Sequence, residues 1–217
     1  MLSIKSFTFN PLQENTYLVY NENLEGVLID PGCYEIEERN ELDRFIQANG
    51  IKISKLLNTH CHIDHVLGNA WAKQKYDLEL WIHQNEIPVL KSVEVYAAGY
   101  GLPAYEPNTH DQLLVEGDII EIGDDRLECL FVPGHAPGHL VFYNPDSNFA
   151  ICGDTLFRGS IGRTDLPGGN HQQLLDRINS VLFQLPEETV MYPGHGPETT
   201  IGFEKVHNPF VGQNAIY

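Results

Sequence analysis

Between residues 60 and 65 the chain reads His60-Cys61-His62-Ile63-Asp64-His65, three imidazoles and a carboxylate within six positions. A loop that turns those four side chains to one side gathers donors suited to Zn, Fe or Mn, and no hydrophobic core needs them there. Two more histidines repeat one context: His135 follows Pro133-Gly134 and His195 follows Pro193-Gly194, each pair closing an apolar run. Asp154, in Ile151-Cys152-Gly153-Asp154-Thr155, also sits at a predicted strand end, where a carboxylate can bridge two cations and offset their repulsion. His60, His62, Asp64, His65, His135, Asp154 and His195 make seven candidate ligands, too many for one structural zinc closed by four. Two ions about 3.5–4 Å apart would clamp the attacking and leaving atoms of a displacement, and water held there ionises near pH 7. The expected chemistry is hydrolysis of an activated carbonyl by a hydroxide shared between the ions, with Asp64 and Asp154 as the catalytic carboxylates.

The elements that must position these residues follow from periodicity. Residues 3–10, 16–20 and 26–30 alternate apolar and polar and read as three strands, and 35–49 carries Ile36, Leu42, Phe45 and Ile46 at helical spacing with Gly50 behind it as a left-handed cap. A short apolar strand, 51–57, runs directly into the His60 loop, so the histidines lie at a strand's carboxyl end, where α/β sheets place ligands. A helix (66–75), a strand (78–83) and a helix (85–98) follow, then an irregular Gly-, Pro- and Tyr-rich stretch (99–112). Hairpins are expected over 117–132 and 140–152, a helix over 172–184 and a strand over 189–192 that ends at Pro193-Gly194-His195. Strand runs followed by helix–strand alternation, twice over, predict an α/β fold, a four-layer αβ/βα sandwich of two mixed sheets with outer helices, as a single domain over 1–217.

Thirteen Lys and Arg against thirty Asp and Glu give a formal net charge of −17, which repels phosphate backbones and anionic lipid. Neither nucleic acid nor a membrane is an expected partner. The chain opens into strand pattern without a charged and then apolar leader, and Cys33, Cys61, Cys129 and Cys152 show no CxxC spacing, so free thiols and a cytoplasmic location are expected.

The HxHxDH motif, the later His135, the Gly153-Asp154 pair and the final Pro193-Gly194-His195 resemble the metallo-β-lactamase superfamily over nearly the whole chain. Gly153-Asp154-Thr155-Leu156-Phe157, Gly162-Arg163-Thr164-Asp165 and Pro193-Gly194-His195-Gly196-Pro197 are similar to the glyoxalase II type, the hydroxyacylglutathione hydrolases, in their short bacterial form. The resemblance implies the metallo-β-lactamase fold, with His60, His62 and His135 on one divalent ion, Asp64, His65 and His195 on the other, and Asp154 between them. It also implies hydrolysis of a small-molecule thioester such as S-lactoylglutathione, with zinc as the first choice of metal and iron or manganese as alternatives. Longer members add a carboxyl-terminal helical domain that grips glutathione; no such domain is expected in the 22 residues after His195.

Around this set, Asp30, closing Val27-Leu28-Ile29, is expected to hydrogen-bond the ligand loop, and His139 to brace its own loop. Arg163 either helps hold glutathione or pins its own loop through Asp165; Tyr96, Tyr100 and Tyr105 are candidates to roof the substrate site. Cys61 reads as a small inward filler, and His83, His110, His171 and His207 as ordinary histidines. The alternatives are a persulfide dioxygenase with one iron, whose loop Gly162-Arg163-Thr164-Asp165 also resembles, and a non-catalytic metal-binding module. The first leaves Asp64, His65 and His195 unexplained, and the second leaves open metal positions unused. A homo-oligomer is compatible with all of these.

Overall fold

The computed structural model describes residues 1–213 and Ala215, and these pack as two compact units. The first comprises Met1–Leu114 with Glu121–Arg126; the second comprises Val115–Ile120 with the chain from Leu127 onward.

The first unit is built on a six-stranded sheet of β1 (Ser3–Phe9), β2 (Glu14–Tyr20), β3 (Glu25–Ile29), β4 (Lys52–Leu57), β5 (Leu80–His83) and β6 (Gln112–Leu114), in that spatial order. β1, β2 and β3 pair antiparallel, and β3 through β6 pair parallel. The crossovers carry α1 (Ile36–Asn49), α2 (Ile63–Val66), α3 (Asn69–Tyr76) and α4 (Ile87–Tyr96). α1 ends where Gly50 takes φ 68°, and it buries Leu42 and Ile46 against Leu18, Leu28 and Leu56 of the sheet. Each such side chain contributes about 1.5–3 kcal/mol of burial.

The helix expected over 66–75 starts only at Asn69, and Val66 closes a separate short helix, α2. Gly68 separates the two because its N–H bonds to Pro31 O at 2.7 Å, and a Cβ there would overlap the Cys33 sulfur and that same carbonyl. The helix expected over 85–98 is flanked by 3-10 turns, Gln84–Glu86 and Ala97–Tyr100. The stretch over 99–112 is not wholly irregular: it buries Leu102, and its end begins β6.

The second sheet runs β14-β13-β10-β9-β8-β7, from β7 (Ile119–Ile122), β8 (Asp125–Phe131), β9 (Leu140–Asn144), β10 (Phe149–Gly153), β13 (Val190–Pro193) and β14 (Thr199–Thr200). A small hairpin of β11 (Leu156–Phe157) and β12 (Ser160–Ile161) precedes α5 (His171–Ser180), and α6 (Ile201–His207) closes the unit. The predicted helix over 172–184 gives way after Ser180 to a 3-10 turn, Leu182–Gln184. α5 starts at Asn170, whose side chain accepts from Gln173 N–H, and packs Leu174 and Ile178 with Val141, Ala150 and Met191. No helix among the described residues is long and apolar enough to cross a membrane.

Candidate metal centre

Parallel pairing places three carboxyl ends of the first sheet along one edge. β3 delivers Asp30, β4 delivers the loop from Asn58 to His62 with α2 behind it, and β5 delivers the turn that contains Glu86. On that edge the His60 ring centroid lies 4.8 Å from His62 and 4.1 Å from His65, with His60 and His65 fully buried. Asp64 Oδ2 is 3.8 Å from His65 Nε2.

Asp30 organises this loop. It takes φ 49°, a left-handed conformation that Asp tolerates, and its carboxylate accepts from Thr59 N–H (2.7 Å), Asn58 Nδ2 (3.2 Å), Thr59 Oγ1 (2.5 Å) and His65 Nδ1 (3.1 Å). Because the Thr59 hydroxyl donates to Asp30, its lone pairs accept from His60 Nδ1–H at 3.1 Å. One carboxylate thereby fixes two imidazoles with Nε2 as the lone-pair nitrogen, His65 directly and His60 through Thr59. Asp30, His60 and His65 also have potential ligand atoms within 4.8 Å of one another. Four donors already meet its carboxylate.

The second sheet repeats the device. β8 and β9 pair antiparallel, as do β9 and β10, while β10 and β13 are parallel, so β8, β10 and β13 end at one edge. His135, Asp154 and His195 follow those three ends. Asp154 Oδ2 lies 3.5 Å from His135 Nε2 and 3.6 Å from His195 Nε2. His135 Nδ1 donates to the Arg163 carbonyl at 2.7 Å, which leaves Nε2 as its lone-pair nitrogen. His139 is buried, and its Nε2 accepts from the Asp154 N–H at 3.0 Å, so it holds the backbone of Asp154. Gly162 completes the contact, since a Cβ there would overlap the Asp154 carbonyl.

These donors fit divalent metal. His60, His65 and His135 are held in the tautomer that ligates through Nε2, and the carboxylates of Asp64 and Asp154 are hard oxygen donors beside them. Burial pushes the Cys61 thiol well above its ordinary range, with Glu86 and Asp30 adding to it, so Cys61 stays neutral between His60 and His62.

The Arg163 guanidinium lies in a two-pronged ion pair with Asp165, at 2.7 Å for both contacts, on an exposed loop. That pairing holds the Asp165 carboxyl down at about 2. Tyr96, at the end of α4, has its ring centroid 5.4 Å from that of the exposed Tyr100, the planes tilted; burial, with the Asp64 carboxylate adding to it, pushes its phenol up to about 12. Tyr105 accepts a bond from Asn108 at 3.4 Å and is likewise kept protonated by burial.

Sequence reading overlooked the residues behind the ligands. Asn10 Nδ2 donates to the carbonyls of Gly32 and Asp64, Asn58 Nδ2 donates to His65 O, and Glu86 Oε2 accepts the Cys61 N–H at 2.7 Å. Glu14 is fully buried beside His65; burial pushes its carboxyl up, His65 opposing that and Asp30 and Asp64 adding to it. Their burial follows from the assembled fold, and no spacing in the sequence marks them.

The model of the metallo-beta-lactamase superfamily matches residues 9–195, which is most of the chain. The chain belongs to the metallo-beta-lactamase superfamily. A probable metallo-hydrolase of Bacillus subtilis, YqgX, is 38% identical over 93% of each chain. The hydroxyacylglutathione hydrolase GloC of Haemophilus influenzae is 32% identical over 99% of this chain and all of its own. Among solved structures, TTHA1623 in a di-iron-bound form is 39% identical with a TM-score of 0.85, covering 95% of this chain and 99% of the other. The fold is accordingly the metallo-beta-lactamase fold, with mixed sheets and helices, and the chain is a member of a superfamily of metallo-hydrolases.

Proposed function

We infer that this superfamily member is a hydrolase of thioesters, of the S-acylglutathione type, working with two divalent ions. The observation that carries this reading is the Asp154 carboxylate, one oxygen of which lies about equally far from the Nε2 atoms of His135 and His195. A carboxylate so placed suits ligands of two neighbouring ions. In the proposed assignment His60, His62 and His135 serve one ion, Asp64, His65 and His195 the other, and Asp154 both; GloC supports the thioester class.

When bound, such ions lower the pKa of water to about 7 and polarise a carbonyl oxygen. The protein's own groups supply the rest. Asp30 and Thr59 keep His60 and His65 from turning, the Arg163 carbonyl does the same for His135, and His139 fixes the backbone of Asp154. Asp64, with an oxygen near the His65 lone pair, is placed to orient the attacking water. Tyr96, protonated at neutral pH, is a donor for the substrate's polar atoms.

The test is elemental analysis of purified protein together with hydrolysis of S-lactoylglutathione before and after chelation. Two ions per chain, activity lost with the metal and restored by zinc, iron or manganese, are expected. A single iron per chain with oxygen uptake on glutathione persulfide would overturn the reading in favour of a dioxygenase. Metal binding without either activity would overturn it in favour of a non-catalytic module.

A further inference from the structure

Glu14 has no part in the ligand set, yet it is fully buried at the start of β2. Its Oε2 accepts from the Thr16 hydroxyl at 2.9 Å, and Thr16 Oγ1 in turn accepts from Gly32 N–H at 2.9 Å. Its Oε1 accepts no hydrogen bond and lies 3.8 Å from His65 Nδ1, the atom that Asp30 Oδ2 holds at 3.1 Å. The back edge of one imidazole therefore faces two carboxyl groups from two different strands. Among the described residues no Lys or Arg forms an ion pair with Glu14.

Burying a carboxyl group without a cation is expensive, by several kcal/mol if it is charged, and such a group persists where positive charge reaches it from elsewhere. Among the described residues the group within ion-pair distance of it is the His65 ring, whose Nε2 side faces Asp64. The backbone is shaped to admit the group: Gly32 passes so close that a Cβ would overlap Glu14 Oε2 and crowd Asn10 Nδ2 and the Asp64 carbonyl. Asn10, from the same β1–β2 turn, donates to that carbonyl at 3.1 Å. Turn and ligand segment are thus joined at two points, the Asn10 bond to the Asp64 carbonyl and the approach of Glu14 to His65.

We propose that Glu14 is a positioning residue for the His65 side of the metal centre: with Asp30 it brackets His65 Nδ1, holds the ring with Nε2 presented, and makes that nitrogen a stronger donor to a divalent cation. This rests on the proposed metal reading, and it adds a second carboxyl group, beside that of Asp30, behind the His65 ring. Carboxylates behind a ligating histidine change metal affinity by about 10–100-fold when removed.

The experiment is zinc binding by competition with a chelator, and thermal melting with and without zinc, for the parent, Glu14→Gln and Glu14→Asp. Glu14→Gln should weaken the more weakly held zinc by about 10–100-fold and shrink the zinc-induced rise in Tm. The zinc-free variant should melt no lower than the zinc-free parent, because a buried carboxyl beside Asp30 has been replaced by an amide. Glu14→Asp, which keeps a carboxyl group on a shorter side chain, should fall between the two. In a His65→Ala background Glu14→Gln should have no further effect on zinc affinity. Unchanged affinity in Glu14→Gln, or equal losses of Tm with and without zinc, would overturn the proposal and leave Glu14 a packing residue. A parent that binds one ion would refute the two-ion reading separately, and the double-variant comparison would still decide the role of Glu14.

Discussion

Replacing Asp30 by Asn tests how much of the metal centre is organised by one carboxylate. The substitution is nearly isosteric, and Asn accepts the φ of 49° at this position, so the backbone has no reason to move. The amide oxygen can keep Thr59 N–H and Asn58 Nδ2, the partners of Oδ1. The amide nitrogen then replaces Oδ2 and meets the Thr59 hydroxyl and His65 Nδ1–H, donor against donor. A buried unsatisfied donor costs about 1–3 kcal/mol, and the two bonds that remain lose their charge assistance, so about 3–5 kcal/mol is expected in total. For a chain of this size that is a fall in Tm of about 6–20 °C. The clash can be relieved only if the His65 proton moves to Nε2 and the Thr59 hydroxyl turns to His60 Nδ1, whose proton must then also move to Nε2, which removes the lone pair from that nitrogen of both rings. Zinc affinity should therefore fall by about 10–100-fold or more. Melting of the metal-stripped variant and chelator competition read the two effects separately. Thr59→Val, which removes the relay to His60 and leaves the Asp30–His65 bond, should give the smaller loss. A stripped Asp30→Asn protein melting within about 2 °C of the parent, with unchanged zinc affinity, would refute the reasoning.

Asp154→Ala should reduce activity by at least about 10²-fold more than His139→Ala, since the first removes a carboxylate between two imidazoles and the second removes an acceptor from its backbone N–H; equal kcat/KM losses would show that His139 does more than brace. Arg163→Ala should change KM for S-lactoylglutathione less than threefold, on the order of 0.6 kcal/mol, because the guanidinium is occupied by Asp165; a tenfold rise would mean that the pair opens for substrate. Burial lowers the pKa of His83 in the folded state, so below about pH 6.5 the unfolded chain binds the extra proton and stability declines as pH falls; above that pH the group contributes no slope. His83→Gln should flatten the decline in urea midpoints between about pH 6.5 and 5, and an unchanged slope would place its origin elsewhere.

Much of this is legible in the sequence because the ligand-type residues announce themselves by type and spacing. Three imidazoles in six positions, and two Pro-Gly-His ends, need no tertiary information to be singled out. The strands were readable for a similar reason: one-sided burial writes alternation into 3–9, and continuous burial writes apolar runs into 140–144 and 149–153. Where local and tertiary signals conflict, reading fails. Apolar periodicity runs through Leu67 and Gly68 as if one helix continued, but the close approach of Pro31 and Cys33 to Gly68 ends it. β6 has three residues and β14 two, too few for a period, and both exist through pairing with distant neighbours.

The layer behind the ligands is harder to read, for a physical reason. Glu14 and Asn15 look by composition like the end of a turn and Thr16 like the polar start of a strand, and solvent would normally claim all three. They are buried because the polar groups they satisfy belong to residues far along the chain: Gly32 for Thr16, and His65 for Glu14. A ligand motif needs only its own spacing, since the metal selects residue type. A bracing residue needs only hydrogen-bonding or charge complementarity at a place that the fold creates, and several residue types can supply it. Asp30 is the intermediate case: it ends an apolar strand whose parallel neighbour carries the histidines, so adjacency in the sheet makes it readable. Glu14 is one strand further away, and its partner is visible only once β2, β3 and β4 are assembled.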